Sequence, residues 1–483
     1  MTMNMTSAAS AEQLSPPTGF TPPSVQPPAR PLGLFRRLMT LADNPIEAWP
    51  KAVYEQPFYW SPAPYGPKIL FVSQPAAIRE ILLDRVHDFG KGAIFLRFLK
   101  PALGEAMLTA EGAHWRWQRL AAAPAFRPEA VARLTPLMSA AAETMLARWR
   151  AAGVGAKIDV NADMVRVTFD IILATMLSGG EGIDIEEASR EITHYLETLG
   201  RPNVADILGL PPSFKKLTSQ RGLQAATYLR NKVDVMVARR RREGEGRGDL
   251  VDLLMHAHDP ETGRSMSDAD LRDNLITFIG AGHETTALAL TWSLYLLSQD
   301  AASAQRVRAE VAAVAQGAPI TQAHVEQMAF TRQVILEALR LYPPVAALPR
   351  QANADTQLAG MAAPKNTIIL MPIYAIHRHR LLWERPDVFD PDRFAPGLGL
   401  ERQRYQFMPF GAGLRICIGM GFALNEAIAA LATLMRGVDL VHDPAHRIRP
   451  LVRITMRPQG GMPMTIRAFH QDGGDGNGRP PPH

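Results

Sequence analysis

The run Phe410-Gly411-Ala412-Gly413-Leu414-Arg415-Ile416-Cys417-Ile418-Gly419 holds the single cysteine of a 483-residue chain and leads into apolar residues at helical spacing, Leu424, Ile428, Leu431 and Met435. The spacing predicts a helix starting near Ile418, with Cys417 at its positive end. Unpaired N–H groups and the helix dipole lower a thiol's pKa there and favour the thiolate, the form that binds metal. Gly411 and Gly413 can take backbone angles closed to other residues and turn N–H groups toward the sulfur; Gly419 lets the helix approach a flat ligand closely. A lone cysteine is ordinarily a small buried hydrophobe. Two glycines and an arginine ahead of this one, and a glycine two residues behind it, set it apart.

The chain is 47% hydrophobic, enough to bury a large core. One cysteine forbids an internal disulfide, which suits a reducing cytoplasm. With 52 Lys+Arg against 47 Asp+Glu, the balance of +5 does not describe a nucleic-acid binder. Residues 1–30 are rich in Ser, Thr and Pro and lack the apolar core of a signal peptide, so a disordered leader is expected there. Residues 470–483 run through Gly, Asp and Pro without periodicity and are expected to be a disordered tail.

Between these ends helical patterns dominate, and the expected fold class is mainly α with a small β portion. An amphipathic helix is expected over Pro31–Asp43, lying on the body in preference to the alternative, a membrane surface. Strands are expected at Ile69–Val72, Thr367–Met371, Leu451–Thr455 and Met464–Arg467, with a helix near Pro75. Phe89–Leu103 has no clean period and reads as a partly apolar loop. Trp115 and Arg119, four apart, share a face if helical. Arg239–Arg242 read as cations complementing a helix C-terminus.

Ser267 opens the longest apolar-periodic segment, with Asp270 as a capping-box partner, and the pattern runs to about Ser298. A membrane span over Leu275–Leu297 is disfavoured because Glu284 in its middle would cost roughly 2.5–3.5 kcal/mol to insert. The interruption is Gly280-Ala281-Gly282-His283-Glu284-Thr285-Thr286. Glycines in a helix interior cost about 1 kcal/mol each, and a buried acid and hydroxyls add to that. Either the helix kinks there, with Thr285 bonding back to a carbonyl, or the polar run has a chemical use. Glu337 and Arg340, an i,i+3 pair among Ile335, Leu336, Leu339 and Leu341, read as a buried ion pair in need of further partners, which Pro391-Asp392-Arg393-Phe394 can supply.

The loop around Cys417 resembles the haem-binding loop of the cytochrome P450 family, the haem-thiolate monooxygenases, whose pattern is F-x-x-G-x-R-x-C-x-G; every fixed position is matched. Four other segments are similar to family motifs in the family's order. Trp115 and Arg119 ahead of Pro124-Ala125-Phe126 match W-x-x-x-R, Gly280–Thr286 matches A/G-G-x-D/E-T, Glu337–Arg340 matches E-x-x-R, and Pro391–Phe394 matches P-E-R-F with Asp392 in place of Glu.

The resemblance implies the cytochrome P450 fold of the soluble bacterial type, a single haem domain over residues 31–469 with a long central helix, and heme b (iron protoporphyrin IX) as cofactor. Cys417 then ligates the iron, Phe410 packs beside the sulfur, and Gly411 and Gly419 shape the loop. Arg415, Trp115, Arg119 and Arg350 meet the haem propionates, and Ala281 and Gly282 leave room for dioxygen and substrate. Thr285 and Glu284 become the catalytic pair, delivering protons to the oxygen atom that leaves as water. His283 points elsewhere on the helix and receives no role. Glu337, Arg340 and Arg393 form a structural triad.

The implied reaction inserts one atom of O2 into a lipophilic small molecule. Apolar segments expected to line its pocket are Ile94, Phe95, Leu96 and Phe98, Ile207–Leu210, Val345–Leu348 and Gly461-Met462. Electrons are expected from NAD(P)H through a separate reductase with a ferredoxin or flavodoxin, since one cysteine cannot hold an iron–sulfur cluster. A cytoplasmic monomer without nucleic-acid partner or transmembrane anchor is expected. A peroxygenase or isomerase, and a non-catalytic haem protein, are the alternative readings.

Overall fold

Ser267 starts the helix that the other elements surround. Its hydroxyl accepts from the Asp270 N–H at 3.2 Å, and the Asp270 carboxylate accepts the Ser267 N–H at 3.1 Å, so two orphan donors of the first turn are satisfied reciprocally. The helix then runs from Asp268 to Gln299 and is buried along most of its length. The computed structural model describes residues 19–30, 32–61, 68–176, 187, 191, 220–244, 249–259, 261–397 and 404–470.

In chain order, α1 is Leu34–Asp43, followed by β1 Phe58–Trp60, β2 Ile69–Val72, β3 Phe89–Gly90, α2 Ala93–Leu103, α3 Gly112–Ala122, α4 Thr135–Ala152, β4 Lys157–Asp159 and α5 Val160–Met176. Next come α6 Gln220–Glu243, the central helix α7 Asp268–Gln299, α8 Ala301–Ala315 and α9 Ala329–Leu341. The chain continues through β5 Leu348–Ala352, β6 Thr356–Leu358, β7 Met361–Ala363, β8 Ile368–Met371, α10 Met420–Gly437, β9 Val438–His442, β10 Pro450–Val452, β11 Met456–Pro458 and β12 Pro463–Phe469. The fold is mainly helical with a small β portion.

Helices α5, α9 and α10 pack on α7 and close the main core, where Trp292 of α7 stacks on Tyr342 with ring centroids 3.8 Å apart. A five-stranded sheet in the order β1-β2-β8-β5-β3 carries a second, smaller core; β2 and β8 run parallel and the other pairs antiparallel. Strands β4, β12 and β9 form a three-stranded antiparallel sheet, and β6–β7 and β10–β11 are hairpins. No helix among the described residues is long and apolar enough to cross a membrane.

Three expectations change. Residues 19–30 are packed rather than disordered. Phe20 lies edge-on to Tyr295 and its carbonyl accepts the Phe389 N–H; Val25 is buried, with its N–H donating to the Tyr374 hydroxyl at 3.0 Å, and the Tyr342 hydroxyl donates to the Pro23 carbonyl at 2.6 Å. A proline-rich segment makes no internal hydrogen bonds, so its order comes from distant partners. The stretch 89–103 is not a loop but β3 followed by α2, a helix with Pro101 inside it that starts after Gly92 (φ +81°) and ends at Gly104 (φ +55°). The strand expected at Leu451–Thr455 is the hairpin β10–β11, turning at Arg453–Thr455.

Candidate active site

The loop before α10 is built by two glycines in the left-handed region, Gly411 (φ +71°) and Gly413 (φ +70°). At Gly413 there is no room either: a Cβ would stand 2.1 Å from the Leu82 carbonyl oxygen. The Cys417 N–H donates to the Phe410 carbonyl at 2.9 Å, and the Met408 N–H to Nε2 of His377 at 2.9 Å, which ties the loop to the smaller core. Burial pushes His377 down to about 3, so its imidazole is neutral and accepts that bond.

Helix α10 begins at Met420 with Gly419 as its N-cap, later than the sequence suggests. Cys417 is therefore ahead of the first turn, and burial pushes its thiol up; the Gly419 N–H and Arg119 pull in the opposite direction without prevailing. The lowered pKa expected from the helix terminus does not hold for the chain by itself. The side chain is exposed although protein crowds it on most sides, as for a group on the wall of a deep recess.

Phe126 links this wall to the central helix. Its ring is 3.7 Å from the place of a Cβ on Gly419 and meets Phe278 edge-on at 5.4 Å, one turn before Ala281. Ala281 is exposed although α7 is buried on either side of it. A Cβ on Gly280 would touch nothing, whereas one on Gly282 would lie 2.9 Å from Cδ1 of Ile172. Gly282 thus lets α5 approach α7, and the open side of the helix is Gly280 and Ala281. The oxygen-side space assigned to Gly282 from sequence belongs to its neighbours.

The Thr285 hydroxyl donates to the Ala281 carbonyl at 2.7 Å. Glu284 is buried and binds Arg457 of β11 at 2.5 Å through Oε1, while its Oε2 is buried with no hydrogen-bond partner among the described residues. His283 donates its Nδ1–H to the Ile279 carbonyl of its own helix at 2.9 Å, packs edge-on to Phe169, and has its pKa lowered by burial. It is a core residue, as its helical direction predicts.

Four cations gather beside the loop. Arg415 lies 4.4 Å above the Trp115 ring and donates to the Ala110 carbonyl; Arg119 lies 6.0 Å from the same ring and donates to the Ile416 carbonyl. Arg350 is buried, donates to the Pro349 carbonyl, and is pushed down to about 10 by burial and by Arg415. Lys91, which sequence reasoning missed because it sits in the stretch read as loop, completes the set. Burial, then Arg415 and Arg350, pushes it down to about 7. Glu111 is the acid that offsets them. Buried like charges with one carboxylate among them form a site for anions. A planar ligand carrying two carboxylates and a metal that accepts thiolate fits the residues present, since a coordinated metal deprotonates a thiol outright.

Below the loop, Arg340 makes two 2.7 Å bonds to Glu337 and donates to the carbonyls of His377, Pro386 and Val388, so the fully buried pair is satisfied. Arg393 reaches Glu337 at 3.5 Å. Asp392 instead faces outward and pairs with Arg306 at 2.8 Å, so the substitution of Asp for Glu falls on the surface. Glu426 of α10 was not foreseen. It is buried beside Thr286 between α10 and α7, and burial pushes its carboxyl well above the usual range. Among the expected pocket segments, Met462 is fully buried and donates its N–H to Asp159, and Ile207–Leu210 lie outside the described residues.

Residues 51–462 match the family model described as cytochrome P450. Cyclooctatin synthase of Streptomyces melanosporofaciens is 32% identical over 81% of this chain and 85% of its own length. Human cytochrome P450 4A11 is 31% identical over 80% of this chain and 78% of its own. The solved heme domain of cytochrome P450DA superposes with a TM-score of 0.75 over 85% of this chain and 90% of that one, at 24% identity, which speaks for the fold. The chain belongs to the cytochrome P450 family and is a haem-thiolate monooxygenase.

Proposed function

We propose that the enzyme oxidises a lipophilic small molecule and takes its electrons from separate proteins, with Cys417 holding the haem iron and Lys91, Arg119, Arg350 and Arg415 its propionates. The observation that carries this reading is the exposed thiol of a glycine-built loop beside four buried or half-buried cations. Haem bound there supplies the activation of dioxygen. The chain's part is to orient and to move protons. Thr285 presents a hydroxyl beside the exposed Ala281, and Oε2 of Glu284, free of hydrogen bonds among the described residues, is the atom from which a proton can pass toward it.

The name of a second relative, cyclooctat-9-en-7-ol 5-monooxygenase of Streptomyces melanosporofaciens, 32% identical over 76% of this chain and 80% of its own, gives that protein an alcohol substrate. A mainly apolar substrate is the class proposed here as well. A single cysteine cannot bind an iron–sulfur cluster, which takes four ligands, and this supports a separate electron donor. Exposed Leu414 and Met420 beside the cysteine loop, with exposed Arg127 adjoining Phe126, make a cationic, partly apolar face for an acidic redox protein.

Turnover with a surrogate ferredoxin, its reductase and NADPH against a panel of lipophilic compounds tests the reading. Oxygenated product that depends on the ferredoxin is the expected result. Product formation needing only hydrogen peroxide, with none from the redox chain, would contradict it.

A further inference from the structure

Arg378 is a buried guanidinium whose Nε, Nη1 and Nη2 have no hydrogen-bond partner among the described residues. It follows Ile373–Ile376, a single turn of helix after β8, and adjoins His377, which ties down the cysteine loop. Its Cζ lies 4.1 Å from the centroid of the Tyr374 ring and 5.6 Å from that of Tyr342. These rings attract the charge but give its N–H groups no lone pair to bond. Asp387, its ion-pair partner among the described residues, stands 3.9 Å from Nε, beyond hydrogen-bond reach, and binds Arg380 at 2.6 Å.

A second donor is stranded at the same place. Tyr54 closes the helical turn Lys51–Tyr54 and is buried, with a hydroxyl that has no partner among the described residues. Its ring meets that of Tyr374 edge-on at 6.5 Å, and its carbonyl accepts the Arg380 N–H at 2.9 Å, which holds the two segments side by side. Burial raises its pKa well above the ordinary tyrosine value, so the phenol keeps its proton. Arg378 and Asp387 act electrostatically on both Tyr54 and Tyr374.

We propose that Arg378 and Tyr54 hold a small monovalent anion of the halide class, such as chloride, in the protein interior. Donors are in excess here, because a guanidinium and a phenol face one carboxylate that two arginines share. Water would bring further donors of its own, whereas a halide only accepts. The anion also balances the buried charge that Asp387, already engaged by Arg380, leaves largely uncompensated. The site is apart from the residues assigned to the haem and does not rest on the monooxygenase reading. Its consequence is for stability: the hydroxyls of Tyr374 and Tyr342 hold Val25 and Pro23, so the anion secures the ring cluster on which residues 19–30 are packed.

The experiment exchanges the haem-loaded full chain into gluconate, titrates it with chloride at constant ionic strength so that screening does not change, and follows thermal unfolding. Wild-type Tm is expected to rise with the logarithm of chloride concentration once the dissociation constant is passed. Tyr54→Phe removes one donor to the anion and should move that onset to about tenfold higher chloride, while Arg378→Met should show no rise. Crystals soaked in bromide give the direct reading, an anomalous peak within hydrogen-bond distance of both the Arg378 guanidinium and the Tyr54 hydroxyl. Equal Tm in chloride and gluconate, an unshifted onset in Tyr54→Phe, or water alone at Arg378 in the bromide-soaked crystal would each overturn the proposal. If Arg378→Met does not fold, the Tyr54→Phe onset and the bromide peak decide.

Discussion

Glu284 and Arg457 are 173 residues apart in sequence and form a largely buried ion pair, with Oε1 of the acid on the guanidinium and Oε2 buried without a hydrogen-bond partner among the described residues. The hairpin that carries Arg457 is itself anchored from the other end of the chain. Asn44 bonds the Pro450 carbonyl and the Val452 N–H, and Arg449 pairs with Glu47 and Asp43. Glu284 of α7 is therefore positioned through β10–β11 by the segment after α1.

Arg457→Gln should strand the buried Glu284 charge. The account predicts a loss of roughly 3 kcal/mol in unfolding free energy, the usual cost of removing one partner of a buried pair. Glu284→Gln should keep the pair's shape and lose the carboxylate able to relay a proton. Product formation should fall by about a hundredfold, with more hydrogen peroxide released per NADPH consumed. Denaturant titration and peroxide assay check the two halves.

Arg340→Met removes five hydrogen bonds and leaves Glu337 charged and fully buried. A destabilisation of about 3–5 kcal/mol is expected by urea denaturation. Asp392→Ala, which cuts an exposed pair with Arg306, should cost less than about 1 kcal/mol in the same assay.

Lys91 gives a pH dependence whose sign is fixed. Its pKa of about 7 in the folded chain lies below the ordinary lysine value, so above pH 7 the unfolded chain holds a proton that the folded chain has released. Apoprotein stability at this site therefore rises with pH from about 7 toward the unfolded lysine pKa, and the full burial penalty is present below about 7. Haem propionates restore the charged form, so haem binding takes up a proton in that window and weakens as pH rises. Titration of apoprotein with haem at about pH 7 and about pH 9 should show this weakening in the wild type and much less of it in Lys91→Met.

Gly413→Ala meets both a left-handed φ and the Leu82 carbonyl. The loop must move, at a cost of at least about 1–3 kcal/mol, and the fraction of protein purified with haem should drop. The haem-to-protein absorbance ratio reads it.

What could be read from the sequence was local. The capping box at Ser267, the left-handed glycines of the cysteine loop and the buried Glu337–Arg340 pair all involve residues within a few positions of one another, and each follows from spacing and residue type. What could not be read was tertiary. Arg457 reaches Glu284 across 173 residues, the two tyrosine hydroxyls bonded to Pro23 and Val25 lie more than 300 positions away, and Gly282 is explained only by Ile172 of another helix. Lys91 was hidden because Pro101 and the absence of a clean period masked α2. The thiol expectation failed for a physical reason: burial outweighs a helix terminus when the cysteine stands ahead of the first turn.

The most direct test of the central claim is the absorbance of the ferrous carbon monoxide complex in the wild type and in Cys417→Ser. The account predicts the red-shifted thiolate band in the wild type and its loss in the variant. The same band in Cys417→Ser, or none in the haem-loaded wild type, would contradict the assignment of Cys417 as the iron ligand.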